Sequence, residues 1–99
     1  MISSVILAAG SSNRVNHETP KQFILFNKRR LLDYSVYTFE KYVDEIIIVV
    51  PKKWKEIIRE ENPKHKVVVG GENRKESSYI GITSCNQNTK KVLIHDAAR

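Results

Sequence analysis

Two cations flank a polar loop near the start of the chain. Arg14 and Lys21 follow Ala8-Ala9-Gly10-Ser11, so backbone N–H groups around Gly10 and two positive side chains share the segment from Ala8 to Lys21. Amides of this kind can point at phosphate oxygens, and cationic groups neutralise charge that grows during phosphoryl transfer. Arg14 offers a planar fork and Lys21 a mobile point charge, so the roles are not interchangeable. The same residues also suit a solvated polar loop. The segment is neither a dinucleotide fingerprint nor a Walker loop, because G-x-G-x-x-G and G-x-x-x-x-G-K-[ST] are both absent. Asp96 is the second feature. A lone carboxylate at a strand end can hold Mg²⁺, which keeps most of its waters and bridges phosphates, or it can cap the following turn. Ser77 can donate to a ligand or help its own helix start. His95 reads as a structural neighbour, and His17 and His65 as solvent-exposed.

The elements that must position these residues alternate in type. Ser4 to Ala9 reads as a short buried strand entering the loop at Gly10. Leu32, Val36, Phe39 and Val43 mark one helix face. Glu45 to Val50 is a continuous branched run, suited to a central parallel strand covered on both faces. Trp54, Ile57 and Ile58 form the inner stripe of a second helix that stops at Asn62-Pro63. Lys66 to Val69 is a third strand, broken by Gly70-Gly71. Asn73 with Glu76 resembles a capping box opening a third helix, with Ser78, Ile82 and Cys85 on one side and Gly81 allowing close approach to the sheet. Lys91 to His95 then delivers Asp96. With no hairpin dipeptide, three β-to-α alternations predict a parallel, right-handed α/β sheet. Gly10, Gly71 and Asp96 all follow strands directly, so their loops share the carboxyl edge where ligands bind in such sheets.

Composition narrows the classes. The 99 residues are 40% hydrophobic and 28% charged, a globular balance. No apolar run approaches the roughly 20 residues that cross a bilayer, and Val5 to Ala9 is too short for a signal segment. A cytoplasmic protein with neither membrane nor nucleic-acid partner is expected. Seventeen Lys and Arg against 11 Asp and Glu give +6, which favours an anionic ligand without choosing one. Lone Cys85 excludes an internal disulfide, cannot make a zinc site, and reads as a small, partly buried helix residue.

Four segments carry a resemblance when read together: Ala8-Ala9-Gly10-x-x-x-Arg14, Pro20-Lys21-Gln22-Phe23, Gly70-Gly71-x-x-Arg74-x-x-Ser77 and His95-Asp96-Ala97-Ala98-Arg99. In this order and at these intervals they resemble the N-terminal part of the 2-C-methyl-D-erythritol 4-phosphate cytidylyltransferase family, enzymes of non-mevalonate isoprenoid synthesis. The resemblance implies an open, mostly parallel Rossmann-like sheet with helices on both faces, of the nucleotide-diphospho-sugar transferase type, truncated. Residues 1–99 would be the N-terminal CTP-binding part of a single cytidylyltransferase domain. It also implies CMP transfer from CTP to a polyol phosphate, with release of pyrophosphate and help from Mg²⁺ or another divalent cation. Ala8, Ala9, Gly10 and Ser11 would contact the nucleotide, with Arg14 and Lys21 as the catalytic cations. Gly71, Glu72 and Ser77 would read the cytosine edge, and Ala97 would also line the CTP site. Asp96 would hold the metal, Arg99 would meet the polyol phosphate, and Arg74 would brace its loop. The family usually has Gly where this chain has Ser12, and Asp where it has Glu72. Its longer members add a homodimer arm, so a homodimer is expected for the full-length enzyme.

Two other readings stand beside this one. A ribitol 5-phosphate cytidylyltransferase shares the Pro-Lys-Gln-Phe element, although Ala8-Ala9-Gly10 and His95-Asp96-Ala97 lean toward the erythritol substrate. A non-catalytic nucleotide-binding fragment would keep the cradle without an acceptor site.

Overall fold

The structure, a computed structural model, describes residues 1–10 and 19–97. Strand β1 (Ile2–Leu7) is followed, beyond the first loop, by a 3-10 turn at Lys21–Phe23. Two short strands, β2 (Leu25–Phe26) and β3 (Arg29–Arg30), precede helix α1 (Leu31–Glu40). Strand β4 (Glu45–Val50) leads through a 3-10 turn at Lys52–Trp54 into α2 (Lys55–Glu61). Strand β5 (Lys66–Val69), helix α3 (Arg74–Thr83) and strand β6 (Lys91–Asp96) complete the order.

Strands β5, β4, β1 and β6 lie side by side in that order, and every pairing between them is parallel. The branched run Ile46–Val50 is buried throughout because β4 has strands on both sides and helices on both faces. Burying each such side chain contributes about 1.5–3 kcal/mol of transfer free energy. Alternation sorts the sheet into two cores. Ile6, Ala8, Ile46, Ile48 and Val50 meet Leu32, Val36 and Ile58 of α1 and α2. Val5, Leu7, Ile47 and Val49 face the other way, where α3 lies against β1. Gly81 sets that distance, since a Cβ there would collide with Val5 Cγ1.

Several sequence expectations shift. Asn27 and Lys28, at φ 53° and 68°, make a two-residue hairpin turn between β2 and β3 where none was expected. Positive φ at both central residues marks a type I′ turn, and Asn-Lys lacks the glycine that usually signals it. Ile57 is 43% exposed while Ile58 is buried: a helix this short presses only a narrow stripe inward, shared with the half-buried Trp54. On α3 the inward residues are Ser77 and Gly81, continuing to Cys85 just past the helix; Ile82 is exposed. The glycine, not the isoleucine, occupies the closest approach. His65 is not solvent-exposed, because its ring is largely covered with Nε2 3.6 Å from Glu40 Oε1. His95 is the structural neighbour expected, its ring 5.2 Å from that of Phe39. Among the described residues strand β6 lies at the sheet's edge, with Leu93 and Ile94 exposed.

Candidate functional site

The strand ladders run one bond past the ends of β1, β5 and β6. Ala8 N donates to Val49 O at 2.7 Å, Gly70 N to Val50 O at 2.8 Å and Ala97 N to Leu7 O at 2.9 Å. Three loops therefore start side by side at the carboxyl edge. At this edge the methyls of Ala8 and Ala97 are buried in the core, whereas Gly10 is exposed and Ala9 half-buried. Ala8 spends its backbone N–H on Val49 and its carbonyl on Gln22, so Ala9 and Gly10 are the surface the first loop presents.

Gln22 is the residue that sequence reasoning missed. Its buried side-chain amide donates to Ala8 O at 2.7 Å and to Gly10 O at 2.8 Å, tying the turn that carries Lys21 to the end of β1. The far side of that turn is fixed as well. Phe23 stacks on Trp54 with ring centroids 4.4 Å apart, and Arg30 Nη1 donates to Phe23 O at 2.8 Å. Arg30 also grips Glu61 through Nε and Nη2, and these bonds, with the charge of that carboxylate, hold its guanidinium above its ordinary pKa. Lys21 itself is exposed on this braced platform. Its traces in the sequence are its place in the Pro20-Lys21-Gln22-Phe23 segment and a polar residue set between Lys21 and a core phenylalanine.

The second loop converges on the first at Gly70. A Cβ there would lie 2.5 Å from Ala9 Cβ and 2.7 Å from Ser77 Oγ, so only glycine lets these segments touch. Ser77 is buried and its Oγ accepts from Gly71 N at 3.1 Å, leaving the hydroxyl hydrogen for another acceptor. Asn73 caps α3 by accepting from Glu76 N at 2.8 Å, as expected. The Glu76 carboxylate accepts from Glu72 N, not Asn73 N, so the reciprocal bond of the box is shifted by one residue. It holds the Gly71–Glu72 peptide in place.

The third loop brings Asp96 to α3. Arg74 donates from Nε to Asp96 Oδ1 at 3.1 Å and from Nη2 to Oδ2 at 3.2 Å. These bonds and the carboxylate's charge raise the Arg74 pKa above its ordinary value. Arg74 thus braces the strand end that carries Asp96. Among the described residues there is no cluster of three or more His, Cys, Asp or Glu able to hold a metal ion. A single carboxylate fits Mg²⁺ that takes most of its ligands from phosphates and water, and does not fit a resident protein-only metal. Ser11, Ser12, Arg14, His17 and Arg99 lie outside the described residues.

A parallel sheet flanked by helices, with glycine-rich loops and a strand-end carboxylate on one edge, defines a nucleotidyltransferase-like α/β protein. The family model of IspD, 2-C-methyl-D-erythritol 4-phosphate cytidylyltransferase, matches residues 2–99, and the chain belongs to this family. It is 40% identical to the bifunctional enzyme IspD/IspF of Pelagibacter ubique, over 96% of this chain and 27% of that protein. It is 34% identical to the 2-C-methyl-D-erythritol 4-phosphate cytidylyltransferase of Clostridioides difficile, over 100% of this chain and 45% of that one. The crystal structure of 4-diphosphocytidyl-2C-methyl-D-erythritol synthase from Anaerococcus prevotii superposes with a TM-score of 0.79 at 30% identity, covering 99% of this chain and 43% of that chain. The chain spans less than half the length of each of these relatives.

Proposed function

We propose that the full-length protein transfers CMP from CTP to 2-C-methyl-D-erythritol 4-phosphate in the cytoplasm, as a homodimer, and that residues 1–99 form its CTP-binding part. The observation that carries this reading is the family match over residues 2–99. A phosphate oxygen of the polyol phosphate attacks the α-phosphorus of CTP. The bond from that phosphorus to the α,β-bridging oxygen breaks, and pyrophosphate leaves with both bonding electrons.

Each loop has one task in this reaction. Ala9, Gly10 and Ser11 cradle ribose and phosphates, while Ala8, expected from the sequence to touch the nucleotide, is buried with both backbone groups bonded and anchors the loop instead. Arg14 and Lys21 stabilise charge on the crowded α-phosphate and on the departing pyrophosphate. Gly71, Glu72 and Ser77 read the cytosine edge, Ala97 closes the floor of the CTP site, and Arg99 meets the polyol phosphate. Asp96 holds Mg²⁺, which when bound neutralises phosphate charge. The braced position of Lys21 and the meeting of Ala9, Gly70 and Ser77 support these assignments.

The test is pyrophosphate release by the full-length protein from CTP and Mg²⁺, with 2-C-methyl-D-erythritol 4-phosphate and ribitol 5-phosphate offered in turn. Turnover with the erythritol substrate is expected, and is abolished by EDTA. Turnover with ribitol 5-phosphate alone reassigns the acceptor. CTP binding without turnover on either acceptor reduces the protein to a nucleotide-binding module.

A further inference from the structure

Arg74 and Asp96 stand 22 residues apart and meet because α3 starts where β6 ends. Two features of their pairing are unusual. Arg74 is the first residue of α3, where unpaired N–H groups make the helix end partially positive and favour an anion. Asp96 holds a cation there against the field of the helix. The pair is also unequal in exposure: the Arg74 side chain is 61% exposed and that of Asp96 21%. The carboxylate sits fixed at a strand end, and the guanidinium lies on its solvent side at the tip of a long side chain.

We propose that Arg74 is a placeholder cation, occupying the Asp96 carboxylate in the nucleotide-free protein and exchanging it for a phosphate oxygen when a nucleoside triphosphate and a divalent cation enter together. The proposal rests on the reading of Asp96 as the metal-holding residue. A guanidinium and a divalent cation on one carboxylate repel each other, so the metal alone must compete with Arg74. A triphosphate removes the conflict, because it carries enough negative charge for both cations. The planar fork of arginine accommodates phosphate as well as carboxylate, so Arg74 keeps its hydrogen bonds through the exchange. An exposed ion pair resists such an exchange only weakly. Metal and nucleotide therefore raise each other's affinity, by the same factor in both directions.

The experiment is Mn²⁺ binding to the full-length protein, read from the electron paramagnetic resonance signal of free Mn²⁺, with and without a non-hydrolysable CTP analogue. Arg74→Gln is expected to tighten nucleotide-free Mn²⁺ binding about two- to fivefold, the range that loss of an exposed ion pair allows. The same variant shrinks the gain in Mn²⁺ affinity that the analogue produces, and Arg74→Lys restores part of it. Nucleotide-free binding that is unchanged or weaker in Arg74→Gln overturns the placeholder role. Asp96→Asn separates the two ideas. If it leaves Mn²⁺ affinity with the analogue untouched, the metal-holding reading of Asp96 fails first. If it lowers that affinity while Arg74→Gln changes nothing without nucleotide, only the placeholder fails.

Discussion

Gln22 donates its side-chain amide to the carbonyl oxygen of Gly10 at 2.8 Å, and the same nitrogen reaches the carbonyl of Ala8. One buried side chain thereby fixes the start of the first loop and the turn bearing Lys21. Gln22→Glu keeps the shape but sets a carboxylate against two carbonyl oxygens. We expect a loss of about 2–4 kcal/mol, because a buried donor pair is replaced by a buried charge without donors. Urea denaturation measures it, and the KM for CTP in the full-length enzyme should rise. Wild-type stability in Gln22→Glu contradicts the clamp.

Lys21 is exposed, so its removal leaves no cavity. Lys21→Ala in the full-length enzyme should lower kcat about 10²–10³-fold, the size of effect seen when one charge-stabilising group is lost. Far-ultraviolet circular dichroism should stay unchanged. A near-normal kcat removes Lys21 from the catalytic groups.

Gly81→Ala places a methyl against Val5 and pushes α3 from the sheet. Overpacking of this kind costs about 1–3 kcal/mol, visible as a lower Tm. Ser77 sits one turn earlier on the same helix, so CTP affinity should fall together with stability.

Burial pushes the Cys85 thiol above its ordinary pKa, and the nearby Glu45 charge adds to it, against smaller opposing effects of Ser3 and Lys66. The thiol is therefore protonated at neutral pH. Its alkylation by iodoacetamide should be slower than that of a free cysteine and accelerate only in alkaline solution. Because the folded pKa is the higher one, the folded state holds this proton more tightly. The matching stability is present below the unfolded pKa and lost as pH rises through the folded one.

Lys28 is a branchless but chiral residue at φ 68° in the hairpin turn. Lys28→Gly relieves that strain, and the larger backbone entropy of glycine offsets part of the gain. A net stabilisation of about 0.5–1 kcal/mol is expected by urea denaturation.

What the sequence revealed and what it hid divide along physical lines. The run Ile46–Val50, the break at Gly70-Gly71 and the Asn73 cap are local signals, and each became the element it announced. Asn27-Lys28 hid a turn because tertiary contacts, among them the Tyr34 hydroxyl donating to Phe26 O, take the place of turn propensity. The clamp of Gln22 was invisible because its partners are backbone carbonyls, which leave no residue pattern. Arg74 and Asp96 both stand out in the sequence, yet their union depends on where a helix begins and a distant strand ends.

The register of β1 has a consequence for the order of events during synthesis. Its inner side pairs with β4, but Ile2 lies opposite Lys91 and Leu7 opposite Asp96. A ribosome releases β1 long before β6, so one side of β1 stays open while about eighty further residues emerge. The nascent chain must shelter that side until β6 arrives, and the carboxyl edge acquires Asp96 only at that late closure.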